Sequence, residues 1–156
     1  MTTLFQRGAA YLESRRPAAG NVPVSYSRKR PSQPGDSTLG LPDGVTMTEP
    51  DSEGNVVVSI SLGATVGKRE YPSSDAGKIG MMEERWDFLV AISDMAAFWP
   101  IINYKGDTPI RGDMFAITSD GVNETYEVQP SSDSRTFHPS FGPYGNTWRI
   151  HTMRKT

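Results

Sequence analysis

Apolar and polar residues alternate along much of this chain, the two-residue period of strands that bury one face. Val22, Val24 and Tyr26 alternate with polar neighbours and predict a strand, which Pro23 places at a sheet edge. Asn55 to Leu62 predicts a second, with Val56, Val58, Ile60 and Leu62 on one side. Ala64 to Tyr71 extends it or pairs with it after a break at Gly63. Trp86, Phe88, Val90 and Ile92 mark another strand. Met114 to Thr118 and Thr125 to Val128 form a hairpin, since Asp120-Gly121 between them supplies the positive φ of a tight turn. Trp148, Ile150 and Thr152 form the closing strand.

Two segments carry a different period. Thr3 to Arg16 reads as a short amphipathic helix, with Phe5, Ala9 and Leu12 on one face. Thr3 and Gln6 have the spacing of a capping box, Arg15 and Arg16 suit the last turn, and Pro17 stops it. Ser93 to Trp99 predicts one or two helical turns, capped by Ser93 and ended by Pro100. Between the strands lie loops rich in Pro, Gly, Ser and Asp. The longest run from Arg30 to Glu53 and from Gln129 to Asn146.

Short strands at this spacing make the fold class mainly β, a small β-barrel or sandwich with a short N-terminal helix and long loops. The expected organisation is a helix and arm over residues 1–20, then a single barrel domain over 21–156 with a loop insertion at about 31–54. A chain of 156 residues can bury roughly 70% of its unfolded surface, enough for one core.

Composition narrows the function. Cysteine is absent, which excludes disulfides and thiolate metal sites. No apolar run approaches the ~20 residues of a membrane span. The N-terminus lacks an apolar signal core, so a soluble protein folded in a cytoplasm is the expectation. The net charge of −2 is uneven: residues 1–31 hold Arg7, Arg15, Arg16, Arg28, Lys29 and Arg30 against Glu13, a net +5, and the remainder carries −7. A basic arm beside an acidic body favours head-to-tail association of like subunits, or an arm for nucleic acid.

Candidate chemistry is sparse. Gly35-Asp-Ser-Thr-Leu39 resembles the nucleophile block of Gly-Asp-Ser-Leu esterases, but no buried strand precedes it. Arg135 and Trp148 stand where the acid three residues before a catalytic His138 or His151 would be, so Ser37 is read as a turn residue. Two histidines in different contexts do not make a zinc site, and no cofactor or metal is expected. Arg111-Gly112-Asp113 matches an integrin-binding tripeptide, yet a tight turn entering the next strand explains it. Arg28-Lys29-Arg30 is either a phosphate-binding patch or a docking patch for an acidic protein surface. The aromatics Phe137, Phe141 and Tyr144, dense in a loop, cover a barrel end or insert into a neighbour. The interface candidates are therefore Arg15, Arg16, Arg28, Lys29, Arg30, Phe137, Phe141 and Tyr144.

One resemblance gathers these signals. The opening Leu4-Phe-Gln-Arg-Gly-Ala-Ala-Tyr-Leu, then Val24-Ser-Tyr-Ser-Arg, Trp86-Asp-Phe-Leu-Val, Pro109-Ile-Arg-Gly-Asp, Tyr126-Glu-Val-Gln-Pro and the closing Trp148-Arg-Ile-His-Thr resemble head–tail joining proteins of tailed phages, the head-completion or stopper proteins of the neck. The segments Pro31 to Pro50 and Pro72 to Gly80 lie outside the resemblance. It implies a small barrel without catalysis or cofactor, located in the neck of the virion. It also implies a ring homo-oligomer of roughly six or twelve copies, set between portal or adaptor and tail, with packaged DNA in its channel and no membrane partner. Other readings are a barrel-type nucleic-acid-binding protein using the basic arm, a hydrolase using Ser37, or, within the same class, a tail terminator or adaptor.

Overall fold

A computed structural model describes residues 22–68, 85–119, 121–130, 134–139 and 146–155. The expected helix over Thr3 to Arg16, and with it Arg15 and Arg16, lies outside these residues, as do Phe141 and Tyr144.

Eight antiparallel strands form one sheet. They are β1 (Val22–Pro31), β2 (Val45–Met47), β3 (Asn55–Lys68), β4 (Arg85–Ala91), β5 (Met114–Ser119), β6 (Val122–Val128), β7 (Phe137–Pro139) and β8 (Thr147–Lys155). Six of them close on themselves in the order β1-β5-β6-β8-β4-β3, because β3 pairs back onto β1 from Val22↔Ala64 to Pro31↔Asn55. Closure removes the exposed sheet edge that an open sheet of these strands would leave.

Alternation dictates the interior. Val24 and Tyr26 of β1, Val56, Val58 and Ile60 of β3, Phe88 and Val90 of β4, Phe115 of β5, Tyr126 and Val128 of β6, and Ile150 of β8 are all buried in one core. Phe88 stacks on Phe115 with centroids 4.1 Å apart, and Tyr26 and Tyr126 meet this pair edge-on at 4.9 and 5.2 Å. These offset and edge contacts add to the area that the rings bury.

Several expectations change. β1 is not an edge strand: it pairs with β3 on one side and with β5 on the other. Pro23 is tolerated because β5 pairs only Ser25 to Ser27, so the proline lies beyond that ladder. Nor does Gly63 break β3, which runs on to Lys68 and passes from β1 to β4. The insertion expected as a plain loop carries β2, which lies on β3 at Val45↔Ile60 to Met47↔Val58. The described helical segment is mid-chain. It comprises a 3-10 turn (Ile92–Met95) with no side-chain cap from Ser93, then one turn of α-helix, α1 (Trp99–Ile102). Pro100 sits in the first turn of α1, where its missing N–H is harmless, and Asn103 ends it in the left-handed region at φ 39°.

The register fixes two ends. β1 and β4 run towards one end, β5 towards the other. The finishing end of β1 therefore receives the insertion, the 92–113 segment and the connection from β6 to β8. The opposite end receives Val22, the β5–β6 turn and the end of β8. Gly121 takes φ +76° in that turn, as the Asp-Gly signal predicts. At the first end the strands splay, and the helical segment fills the opening with Met95, Phe98, Trp99 and Ile102. β2 and β7 are short outer strands that take up the edges of β3 and β8 left free by this splay.

Candidate functional site

β1 keeps its phase past Tyr26, so Arg28 and Arg30 point inward. Each is 2% exposed. A guanidinium inside a barrel needs a carboxylate and carbonyls to replace water. Arg28 finds them in the 103–113 segment. Its Nε and Nη2 donate to Asp113 at 2.8 and 2.7 Å, and its remaining donors reach the carbonyls of Tyr104 at 2.7 Å and Thr108 at 2.8 Å. It also lies 5.4 Å from the centre of the Trp99 ring. Asp113 further accepts from the Tyr26 hydroxyl and, at 3.1 Å, from the Ile110 N–H. Burial, and after it the charge of Asp113, push the Tyr26 hydroxyl well above its ordinary range. Burial works against the charge on Arg28, but the hydrogen bonds and charge of Asp113 outweigh it and raise the guanidinium's pKa. The network fastens the loop after α1 to the barrel wall. It also disposes of the Arg-Gly-Asp reading, since Asp113 is 1% exposed and Gly112 turns the chain at φ +98°.

Arg30 performs the same task for the insertion. It donates twice to Asp36, at 2.7 and 2.8 Å, and once to the Ile101 carbonyl at 3.3 Å. The Arg30 bonds, against some desolvation and with help from the Gln33 N–H, lower the Asp36 carboxyl to about 2. A carboxyl with a depressed folded-state value stabilises the fold above its unfolded value and ceases to as pH falls through the folded one. The expected result is a component of stability complete above about pH 4 and lost on the way down to about pH 2. Acid unfolding of Asp36→Asn, followed by fluorescence, should lack that component. Identical acid profiles for the two proteins would refute it.

The sequence reading grouped Arg28, Lys29 and Arg30 as one exposed basic patch. The structure separates them: the two arginines serve the interior, and Lys29 alone faces out, 3.6 Å from Asp51. Phe137 is half-buried, packed on Trp148 at 5.3 Å. Ser37 is an exposed turn residue whose hydroxyl accepts the Leu39 N–H at 3.1 Å. It borders an open groove with Leu39, Met47, Thr48 and Val56, in which no histidine takes part.

The histidines hold the arrangement that the sequence reading missed. β7 lies on β8 with His138 opposite Arg149. His138 Nδ1 meets His151 Nε2 at 2.5 Å, and His151 Nδ1 meets Asp87 Oδ1 of β4 at 2.9 Å. The three form a chain on the outer wall of the barrel, joining β4, β8 and the 134–139 strap that pairs along β8. Its signal was the parity of His151, out of phase with Ile150 and Thr152, but nothing local in the sequence pairs it with His138. Among the described residues no group of three or more His, Asp or Glu is arranged to hold a metal.

Leu39 and Val122 are the large apolar side chains left exposed among the described residues, at 82% and 59%. Leu39 belongs to the insertion, and Val122 opens β6 at the opposite end. Among the described residues the buried arginines thus serve internal fastenings, and the exposed large apolar side chains lie at two ends. A search of curated proteins and a search of solved structures find no match. The family model for phage head–tail joining proteins matches residues 2–156. A match over nearly the whole length makes the chain a member of the phage head–tail joining protein family, a structural component of the virion's head–tail junction.

Proposed function

We propose that the chain acts as a neck connector of the stopper type: copies close into a ring between portal or adaptor and tail, around the path of the packaged DNA. The observation that carries this reading is the two-ended layout. The strand register sends the Leu39-bearing insertion out near one end and the β5–β6 turn with Val122 out at the other. A joining part needs a neighbour above and a neighbour below, and a ring needs two different surfaces that meet head to tail and close. Exposed Asp43, Glu49, Asp51 and Glu53 make the insertion acidic. Placed towards a channel, they would repel phosphates and let DNA slide. Lys29, Phe137 and the residues outside the described set, Arg15, Arg16, Phe141 and Tyr144, are proposed contacts with sister copies. A tail terminator or adaptor would use similar contacts in another layer of the neck. The nucleic-acid-binding alternative is weakened by the burial of Arg28 and Arg30, which leaves one of its three clustered cations on the surface.

Leu39→Asp and Val122→Asp test the layout. Each should leave the barrel's unfolding midpoint nearly unchanged, because both side chains touch little. Each should sharply reduce the fraction of filled heads that acquire tails, counted in a complementation assay. Normal joining with both variants would refute the assigned surfaces.

A further inference from the structure

The Asp87–His151–His138 chain has no part in joining as proposed above, yet it is built with care. His151 is 6% exposed although its side chain points away from the barrel core. Its backbone joins the strap to the barrel: its N–H donates to the Thr136 carbonyl of the strap at 2.8 Å, and its carbonyl accepts the N–H of Gln129, just past β6, at 3.0 Å. Thr136 in turn donates its hydroxyl to the Pro109 carbonyl at 2.9 Å. The strap therefore pairs along the edge of β8 and touches the 109–113 turn, and the two imidazoles add a side-chain attachment.

Proton accounting defines what the attachment tolerates. With both rings neutral, His151 Nδ1–H donates to the Asp87 carboxylate and His138 Nδ1–H donates to His151 Nε2. One added proton is accepted at His138 Nε2 without disturbing either bond. A second must go to His151 Nε2, and it places N–H against N–H across 2.5 Å. The closed chain thus binds one added proton where the opened chain binds two. The state that binds more protons is favoured as pH falls, so acid favours opening. Among the described residues, the charged groups on the same outer face are Asp87 and Arg85 from β4, Arg149 from β8, Glu127 from β6 with its partner Lys155, and Arg135 from the strap.

We propose that Asp87, His151 and His138 form an acid-released clasp, which holds the 134–139 strap against the barrel and lets it go when both imidazoles are protonated. The device would release the strap without unfolding the barrel. It stands independently of the neck reading, since it rests on described side chains alone.

Amide hydrogen exchange on the full chain tests it. The His151 amide, bonded to the Thr136 carbonyl, reports the closed strap, whereas the Gln129 amide, bonded to β8 at the end of β6, and the Phe88 and Val58 amides report the barrel. Between about pH 7.5 and about pH 5, a span that brackets ordinary histidine titration, protection at His151 should fall about tenfold after correction for intrinsic exchange, while protection at Gln129 holds. Protection at Phe88 and Val58 should hold. His138→Asn keeps a donor at the position of Nδ1 and can turn its carbonyl inward when His151 is protonated, so its strap should be insensitive to pH. His151→Asn should behave alike, and it decides the matter if the first variant folds poorly. Unchanged protection in the wild type, or an equal fall in both variants, would overturn the proposal.

Discussion

Asp113→Ala is expected to destabilise the barrel by about 3–5 kcal/mol, the range for removing one partner of a buried ion pair. Asp113 is 1% exposed and receives four donors: two from Arg28, the Tyr26 hydroxyl and the Ile110 N–H. Truncation leaves the Arg28 charge with carbonyl acceptors alone and the Tyr26 hydroxyl without its acceptor. It also releases the turn that leads into β5. Much of the loss is the cost of an uncompensated buried cation, so the paired replacement Arg28→Met with Asp113→Leu should recover most of it. Urea unfolding of the three proteins decides the matter. A loss below about 1 kcal/mol for Asp113→Ala, the scale of an exposed pair, would mean that water already reaches Arg28.

Phe88→Ala is expected to cost about 3–5 kcal/mol, as buried aromatic truncations do. Phe88 is fully buried on β4, between the stacked Phe115 and the edge of Tyr126. β4 pairs with β3 and β8, so the lost ring leaves a cavity at a seam of the closed circuit. Neighbouring strands cannot collapse into it without disturbing both ladders, which favours the upper part of the range. Phe88→Leu keeps most of the volume and should cost clearly less. Equal losses for the two variants would show that packing volume at this seam matters less than ring stacking.

Much of the barrel was legible because its strands are half-buried and alternate. Val56, Val58 and Ile60, or Phe88 and Val90, announce their buried face without reference to the rest of the chain. The same parity was available for Arg28 and Arg30, which continue the inward phase of Val24 and Tyr26. Clustered charge argued for solvent there, but parity decided the outcome, because Asp113 and Asp36 arrive from 85 and 6 residues away to neutralise them. β2 and β7 could not be read locally. Each is three residues long and exists because a barrel strand splays away beside it. The histidine chain was hidden for the same reason, since its members come from β4, β7 and β8 and meet only when the barrel closes.

Membership of the head–tail joining family places the chain at the junction, and the neck-connector role is our proposal for how it acts there. Internal fastening by Arg28 and Arg30 keeps the loops at the capped end in position before any partner arrives. In the proposed assembly, the surfaces offered to neighbours would then be preorganised, which lowers the ordering cost.

Electron cryomicroscopy of the neck in assembled particles tests this account most directly. The predicted image is a closed ring of these barrels at the head–tail junction, with the Leu39 insertion against one neighbouring layer or sister copy and the Val122 turn against another. Isolated copies with both of these ends in solvent, or a junction without this chain, would contradict it.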